Sequence, residues 1–208
     1  MVSTSRSDYG HLLPVLKAIQ ADPALTLRLV QPIGVNYNEY ISRLDCARAD
    51  GFVPVLQTEV SKQADFLLIL GDRYELLEYV AGAVKTGVPI AHVHGGESTE
   101  GAFDDNIRHA LTKLSHLHFV AHDEYKKRVL QLGEEAWRVS VVGAPALDLI
   151  TPRPCSGRGI MVCWHPVTLE PAMQAFYLVE LQAALETLRC TICVVGPNAD
   201  PGSAYIHE

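Results

Sequence analysis

At 208 residues the chain is long for one domain and short for two, so one complete domain with part of a second is expected. A hydrophobic share of 48% with 20% charged residues supplies an ordinary globular core, and a formal net charge of −7 argues against binding along a nucleic-acid backbone, which needs clustered Lys and Arg. No apolar run approaches the ~18 residues of a membrane span, and no basic segment followed by an apolar stretch opens the chain.

From the N-terminus, Met1–Thr4 has room only for a stub strand. His11–Ala21 reads as a helix with Leu12, Leu13, Val15, Leu16 and Ile19 on one side. Pro14 falls in its first turn, where N–H groups lack partners in any case, and Asp22-Pro23 stops it. Short β-rich apolar runs lie at Leu27–Val30, Phe52–Leu56, Asp65–Leu70, Val88–Val93, His116–Ala121, Val139–Val142, Ile160–Trp164 and Thr191–Val195. Several are apolar on both faces, as strands between two helical layers must be. Helices are expected over Tyr74–Thr86, ended by Gly87; Asp104–Leu114, opened by two acids that suit the positive end of the helix dipole; Glu124–Leu132, ended by Gly133; and Pro171–Leu188. This alternation predicts an α/β, Rossmann-like, doubly wound parallel sheet with right-handed crossovers. The Pro-, Gly- and Arg-rich stretch Thr151–Gly159 is the expected linker. It separates an N-terminal domain over 1–150 from a partial unit over 160–208, in which only strand, helix and strand remain.

In open parallel sheets, ligands bind beyond the carboxyl ends of the strands. The residues that follow each run are therefore the candidates. Arg6, Asp8 and Tyr9 come after the stub; Gly71-Asp72-Arg73 after Leu70; His94-Gly95-Gly96-Glu97 and then Asp104-Asp105 after Val93; His165-Pro166 after Trp164. Arginines, carboxylates and histidines thus gather at one end of the sheet. Each also has a plain use: a strand-end ion pair for Asp72-Arg73, helix capping for Asp104 and Asp105, a loop position for His165. Arg6 ahead of a helix N-terminus suits a diphosphate.

His92 with His94, and His116 with His118, share strand faces, and an HxH near Glu97 has zinc-ligand chemistry. No third ligand has a defined spacing, so neither metal nor cofactor is expected. The five cysteines are Cys46, Cys155, Cys163, Cys190 and Cys193. Cys190 and Cys193 lie in an apolar run, which predicts buried strand cysteines in a reducing cytoplasm.

The block HVHGGESTEGAFDDNIRHALTKLSHLHFVA, with SRSDYG, LGDRYE, VVGAPALD, HPVTLE and PNAD, resembles the hydrolysing UDP-N-acetylglucosamine 2-epimerases. These supply N-acetylmannosamine for sialic acid synthesis, and close relatives act on UDP-diacetylbacillosamine for legionaminic acid. The resemblance implies two Rossmann-like domains facing across a cleft, as in GT-B glycosyltransferases. It also implies a UDP-sugar as partner and admits homo-oligomerisation. The implied chemistry expels UDP while C2 loses its proton, then adds water at C1 and a proton to the opposite face of C2. Carboxylates must act on two faces, with cationic donors for the diphosphate. By resemblance, Asp72, Glu97 and Asp105 handle protons, with Asp104 beside them and His165 assisting the leaving group. Arg6, Asp8, His11, Arg73, His94 and Arg108 form the implied substrate-binding set.

The chain departs from the family pattern in three ways: it is shorter between Val30 and Ala64, it has His11 where lysine is common, and it stops at His207-Glu208, before the family's uridine-holding loop. A catalytically silent fragment that at most binds sugar nucleotide is the competing expectation. A non-hydrolysing epimerase or a glycosyltransferase is disfavoured by the GGESTEGAFDD block.

Overall fold

The structure, a computed structural model, describes residues 1–4, 6–31, 45–54, 64–152, 157 and 159–196, the side chains of Arg6 and Ser7 excepted. The chain divides into two compact units. One holds Met1–Ser98 with Asp104–Thr151, the other Thr99–Phe103 with Pro152–Glu208.

In the first unit, α1 (Arg6–Ala21) precedes the repeating pattern β1 (Leu67–Leu70), α2 (Leu76–Thr86), β2 (Ile90–Val93), α3 (Asp104–Leu114), β3 (Leu117–Val120), α4 (Asp123–Gln131) and β4 (Val139–Val141). The strands form a parallel sheet in the order β1-β2-β3-β4. The N-terminal stub extends it on the β1 side. Val2 N–H donates to the Leu68 carbonyl at 3.1 Å, and Val2 also bridges Val30 in parallel.

Strand alternation explains why both faces are covered. Leu67 and Ile69 point into a core with Leu76, Tyr79, Val80 and Ala83 of α2 and Leu111 of α3. Leu70 points the opposite way, into a second core with Tyr9, Leu12 and Leu16 of α1 and with Val93. β2 is buried along its whole length. Helices on both faces make this the doubly wound α/β fold that the run pattern predicts.

Three local expectations are corrected. α1 begins at Arg6, so Pro14 is an interior residue and the Gly10 carbonyl loses its usual helical donor. Phe52–Leu56 contributes no strand over its described residues 52–54, because the Phe52 N–H closes a turn onto Ala47 and the ring goes into the α1-side core. Leu27–Val30 makes a single bridge at Val30 instead of a strand.

The second unit contains β5 (Ile160–Cys163) paired in parallel with β6 (Ile192–Val195), joined through α5 (Gln174–Glu186). Cys163 and Cys193 are exposed and Cys190 is half-buried, contrary to the expected buried cysteines. Met161 and Val194 of this two-stranded sheet are likewise exposed, so its faces do not enclose the thiols. Cys155 and the middle of the expected linker lie outside the described residues. No described helix is long and apolar enough to cross a membrane.

His92, fully buried in β2, ties the layers together: Nε2 lies 2.7 Å from the Gly71 carbonyl and Nδ1 3.3 Å from Thr112 Oγ1 on α3. Burial lowers its pKa to about 4 from 6.5. Since the folded state resists protonation that the unfolded chain accepts, His92 weakens the fold as pH falls below 6.5 and does so increasingly towards 4. Urea unfolding should therefore show stability falling by roughly 3 kcal/mol from this group between pH 7 and pH 4. The pH slope should shrink in His92→Gln; an unchanged slope in that variant contradicts the assignment.

Candidate active site

The N-terminal stub lies between Val30 on one side and β1 on the other, so the chain leaves its first two sheet segments in opposite directions. Crevices form at such switch points, beyond the strand ends. Residues that follow the stub and β1 meet here. Asp8, on the first turn of α1, is nearly buried and accepts a hydrogen bond from Thr4 Oγ1. Its charge also acts on Asp72, directly after Gly71 at the end of β1.

Arg108 organises this rim. It lies on α3, is 4% exposed, and cannot be neutralised by losing a proton. One terminal nitrogen donates to Asp72 Oδ2, across 36 positions of sequence. The other donates to Asp105 Oδ1 at 2.6 Å, one turn earlier on the helix. Ser98 Oγ donates to the remaining oxygen of Asp105 at 2.9 Å. Burial raises the Asp72 carboxyl above its ordinary value; Arg108 opposes the shift and Asp8 adds to it.

A second pair stands at the end of β2. His94 Nδ1 lies 2.5 Å from Glu97 Oε1. His94 has φ +63°, among the described residues the one non-glycine in the left-handed region, at a cost on the order of 1 kcal/mol. Packing enforces this conformation. His94 N–H donates to the Phe119 carbonyl at 3.0 Å. Two residues on, Gly96 has φ +79°, and a Cβ there would sit 2.4 Å from the Tyr125 carbonyl oxygen, so only glycine lets the loop close onto α4. The Gly96 carbonyl accepts from Arg128.

The structure therefore brings Asp72, Asp105 and Arg108 into direct contact, sets Asp8 beside Asp72, and pairs His94 with Glu97. His11, exposed on α1, has its ring edge-on to His94, with centroids 5.9 Å apart. Arg73 Nη2 donates to Glu75 Oε1 at 3.3 Å. Asp104 opens α3 and is half-buried. The Arg6 side chain lies outside the described residues. His165 belongs to the second unit, where it is exposed, with Nε2 3.5 Å from Cys163 Sγ. The sequence reading missed Thr4 and Ser98 as partners of the site acids, and His92 as the link between Gly71 and α3. Only the Asp105–Arg108 spacing of i,i+3 signalled a helical ion pair in advance. Neither His92 nor His94 is part of a cluster of three or more metal-ligating side chains among the described residues.

Comparison with known proteins gives the family. The family model of UDP-N-acetylglucosamine 2-epimerase matches residues 50–208. The chain belongs to the UDP-N-acetylglucosamine 2-epimerase family. A UDP-N,N'-diacetylbacillosamine 2-epimerase (hydrolyzing) of Legionella pneumophila is 36% identical over 251 aligned positions, which include 100% of this chain and 65% of that protein. A UDP-N-acetylglucosamine 2-epimerase of Neisseria meningitidis is 29% identical, over 99% of this chain and 64% of that protein. The chain thus spans somewhat less than two thirds of the length of these curated relatives. Because the Legionella alignment uses 251 positions for 208 residues, that relative carries additional residues inside the matched region. Among solved structures, the UDP-GlcNAc 2-epimerase of Methanocaldococcus jannaschii in complex with UDP-GlcNAc and UDP superposes with a TM-score of 0.75 at 12% identity, covering 99% of this chain and 67% of that one. That likeness carries the fold.

Within this epimerase-family chain, removing Arg108 leaves two carboxylates facing each other without their shared cation. Arg108→Met is expected to destabilise the chain by roughly 2–4 kcal/mol in urea unfolding at pH 7. Much of the loss should return at pH 4, where the carboxyls protonate; a loss that does not depend on pH contradicts the bridging role.

Proposed function

We propose that this chain carries the catalytic rim of a hydrolysing 2-epimerase, which converts UDP-N-acetylglucosamine and water to N-acetylmannosamine and UDP. The observation that supports it most is the joint hold of Arg108 on Asp72 and Asp105 at the carboxyl end of the sheet. The C2 hydrogen of the sugar is only weakly acidic. Its removal needs a fixed base, a leaving group at C1, and a separate acid that returns a proton to the other face. Two proton-handling groups stand at one rim, the Arg108-held carboxylates and the His94–Glu97 pair, and the burial-raised Asp72 suits proton delivery.

In the first step a base takes the C2 proton, the C2–H electron pair becomes the C1=C2 bond, and the C1–O bond breaks with its pair leaving on UDP. In the second, the hydroxyl of water adds at C1, C2 is protonated from the opposite face, and the proton shed by water restores the acid. In this reading Arg6, Asp8, His11 and Arg73 bind the substrate, and His165 is the candidate for assisting the diphosphate.

A second substrate is favoured by one specific observation. The relative at 36% identity is named for UDP-N,N'-diacetylbacillosamine, which differs from UDP-N-acetylglucosamine at the sugar's C4 and C6 positions and leaves C1–C2 chemistry unchanged. The hydrolysing mechanism accommodates either sugar.

The test incubates the protein with each UDP-sugar and follows UDP by phosphorus NMR and the C2 epimer by proton NMR. Release of UDP together with the epimerised free sugar is expected. UDP-sugar epimerised without free UDP would move the chain to the non-hydrolysing class, and no turnover of either sugar would support the silent-fragment reading. Given turnover, Asp72→Asn should lower kcat by ~10²–10⁴ with the fold intact.

A further inference from the structure

We propose that His94, rather than Glu97, carries the proton taken from the sugar's C2, and that Glu97 is its positioning partner. This rests on the epimerase reading and assigns one of the roles left open there.

Three observations converge on His94. Its backbone is held in the left-handed region, φ +63°, by a hydrogen bond to Phe119 and by a glycine pair wedged against neighbouring elements: a Cβ on Gly95 would lie 3.1 Å from both His92 Nδ1 and Thr112 Oγ1, and one on Gly96 would meet α4. Strain of this kind persists only where the surroundings over-determine it, and it concentrates at functional positions. Next, Nδ1 is engaged by Glu97 Oε1 at 2.5 Å. A carboxylate accepts, so Nδ1 carries the hydrogen and donates it, and in the neutral ring this leaves the lone pair on Nε2. Finally, Nε2 is buried with no hydrogen-bond partner among the described residues, although the ring as a whole retains some exposure. His92, by contrast, gives both ring nitrogens to the protein, at Gly71 and Thr112.

Glu97 is thereby a poor candidate for direct attack at C2, because one of its oxygens is committed to the ring. An imidazole held by a carboxylate is the commonest arrangement for a general base. The carboxylate fixes the tautomer and stabilises the imidazolium that forms. The His11 ring stands edge-on to His94 at 5.9 Å between centroids. His11 is exposed, and exposed side chains change rotamer within nanoseconds.

The step balances. The Nε2 lone pair takes the C2 proton, the C2–H pair forms the C1=C2 bond, and UDP departs with the C1–O pair. The imidazolium then releases its proton to solvent as water adds across the double bond.

Two measurements on the full chain test this. In the first, nitrogen-15 NMR of the histidine rings reads the His94 tautomer without any substrate. The Nδ1-protonated form is expected in the wild type, and an Nε2-protonated form overturns the proposal whether or not the chain turns over a UDP-sugar. In the second, His94→Asn, Glu97→Gln and the double variant are compared on the UDP-sugar that the wild type hydrolyses. Asparagine tolerates the left-handed backbone, so His94→Asn should unfold at a urea midpoint close to the wild type. It should lose ~10²–10⁴ in kcat with KM little changed. Glu97→Gln should lose less, with a larger isotope effect on C2-deuterated substrate, and the double variant should match His94→Asn alone. Losses that multiply in the double variant, or a Glu97→Gln loss exceeding that of His94→Asn, would assign the base to Glu97. Wild-type turnover without these patterns refutes the dyad and leaves the epimerase reading standing. Wild-type inactivity with the Nδ1 tautomer present refutes that reading and leaves the dyad.

Discussion

Packing α3 against the sheet takes the Arg108 guanidinium out of water, and a group that keeps its charge at any ordinary pH must then be met by anions. Asp72 comes from the end of β1 and Asp105 from the first turn of α3 itself. One cation thus fixes the spacing between a strand end and a helix start that are far apart in sequence. Ser98 joins the same group, its hydroxyl donating to Asp105 Oδ2.

The site is built on the stiff parts of the fold. Asp72 follows a fully paired strand and Arg108 projects from a three-turn helix. His92 connects the turn at Gly71 to Thr112 through its own ring, so the loop that presents Asp72 is tied to the helix that presents Arg108. The loop with His94 and Glu97 is pressed onto α4 at Gly96. Preorganisation of this kind is what the proposed epimerase chemistry asks of charged groups, because nothing then has to reorient when charge moves.

Much of this was legible in the sequence. The two-sided apolar runs at Asp65–Leu70 and Val88–Val93 contain β1 and β2, and the acid pair marked the start of α3 to the residue. Gly87 in the left-handed conformation ends α2, as its position demanded. The rule that ligands gather beyond strand ends singled out Asp72 and Asp105, which the structure brings onto Arg108, and Glu97, which it pairs with His94. Long-range pairing was not legible: nothing in local spacing joins Arg108 to Asp72, and Arg108 reads as a ligand contact until the helix is packed. The strain at His94 was hidden as well, since periodicity extended the strand pattern through it and backbone φ is set by the glycines that follow. The exposed cysteines reflect burial that a two-stranded sheet cannot supply.

That one buried guanidinium joins the rim acids and offsets the effect of burial on Asp72 is tested most directly by a carbon-13 NMR titration of the aspartate side-chain carboxyls in wild type and in Arg108→Met. The account predicts that Asp72 titrates above a solvated aspartate in the wild type and moves further up when Arg108 is removed. An Asp72 carboxyl that titrates at the ordinary value, and is unmoved by the loss of Arg108, would contradict it.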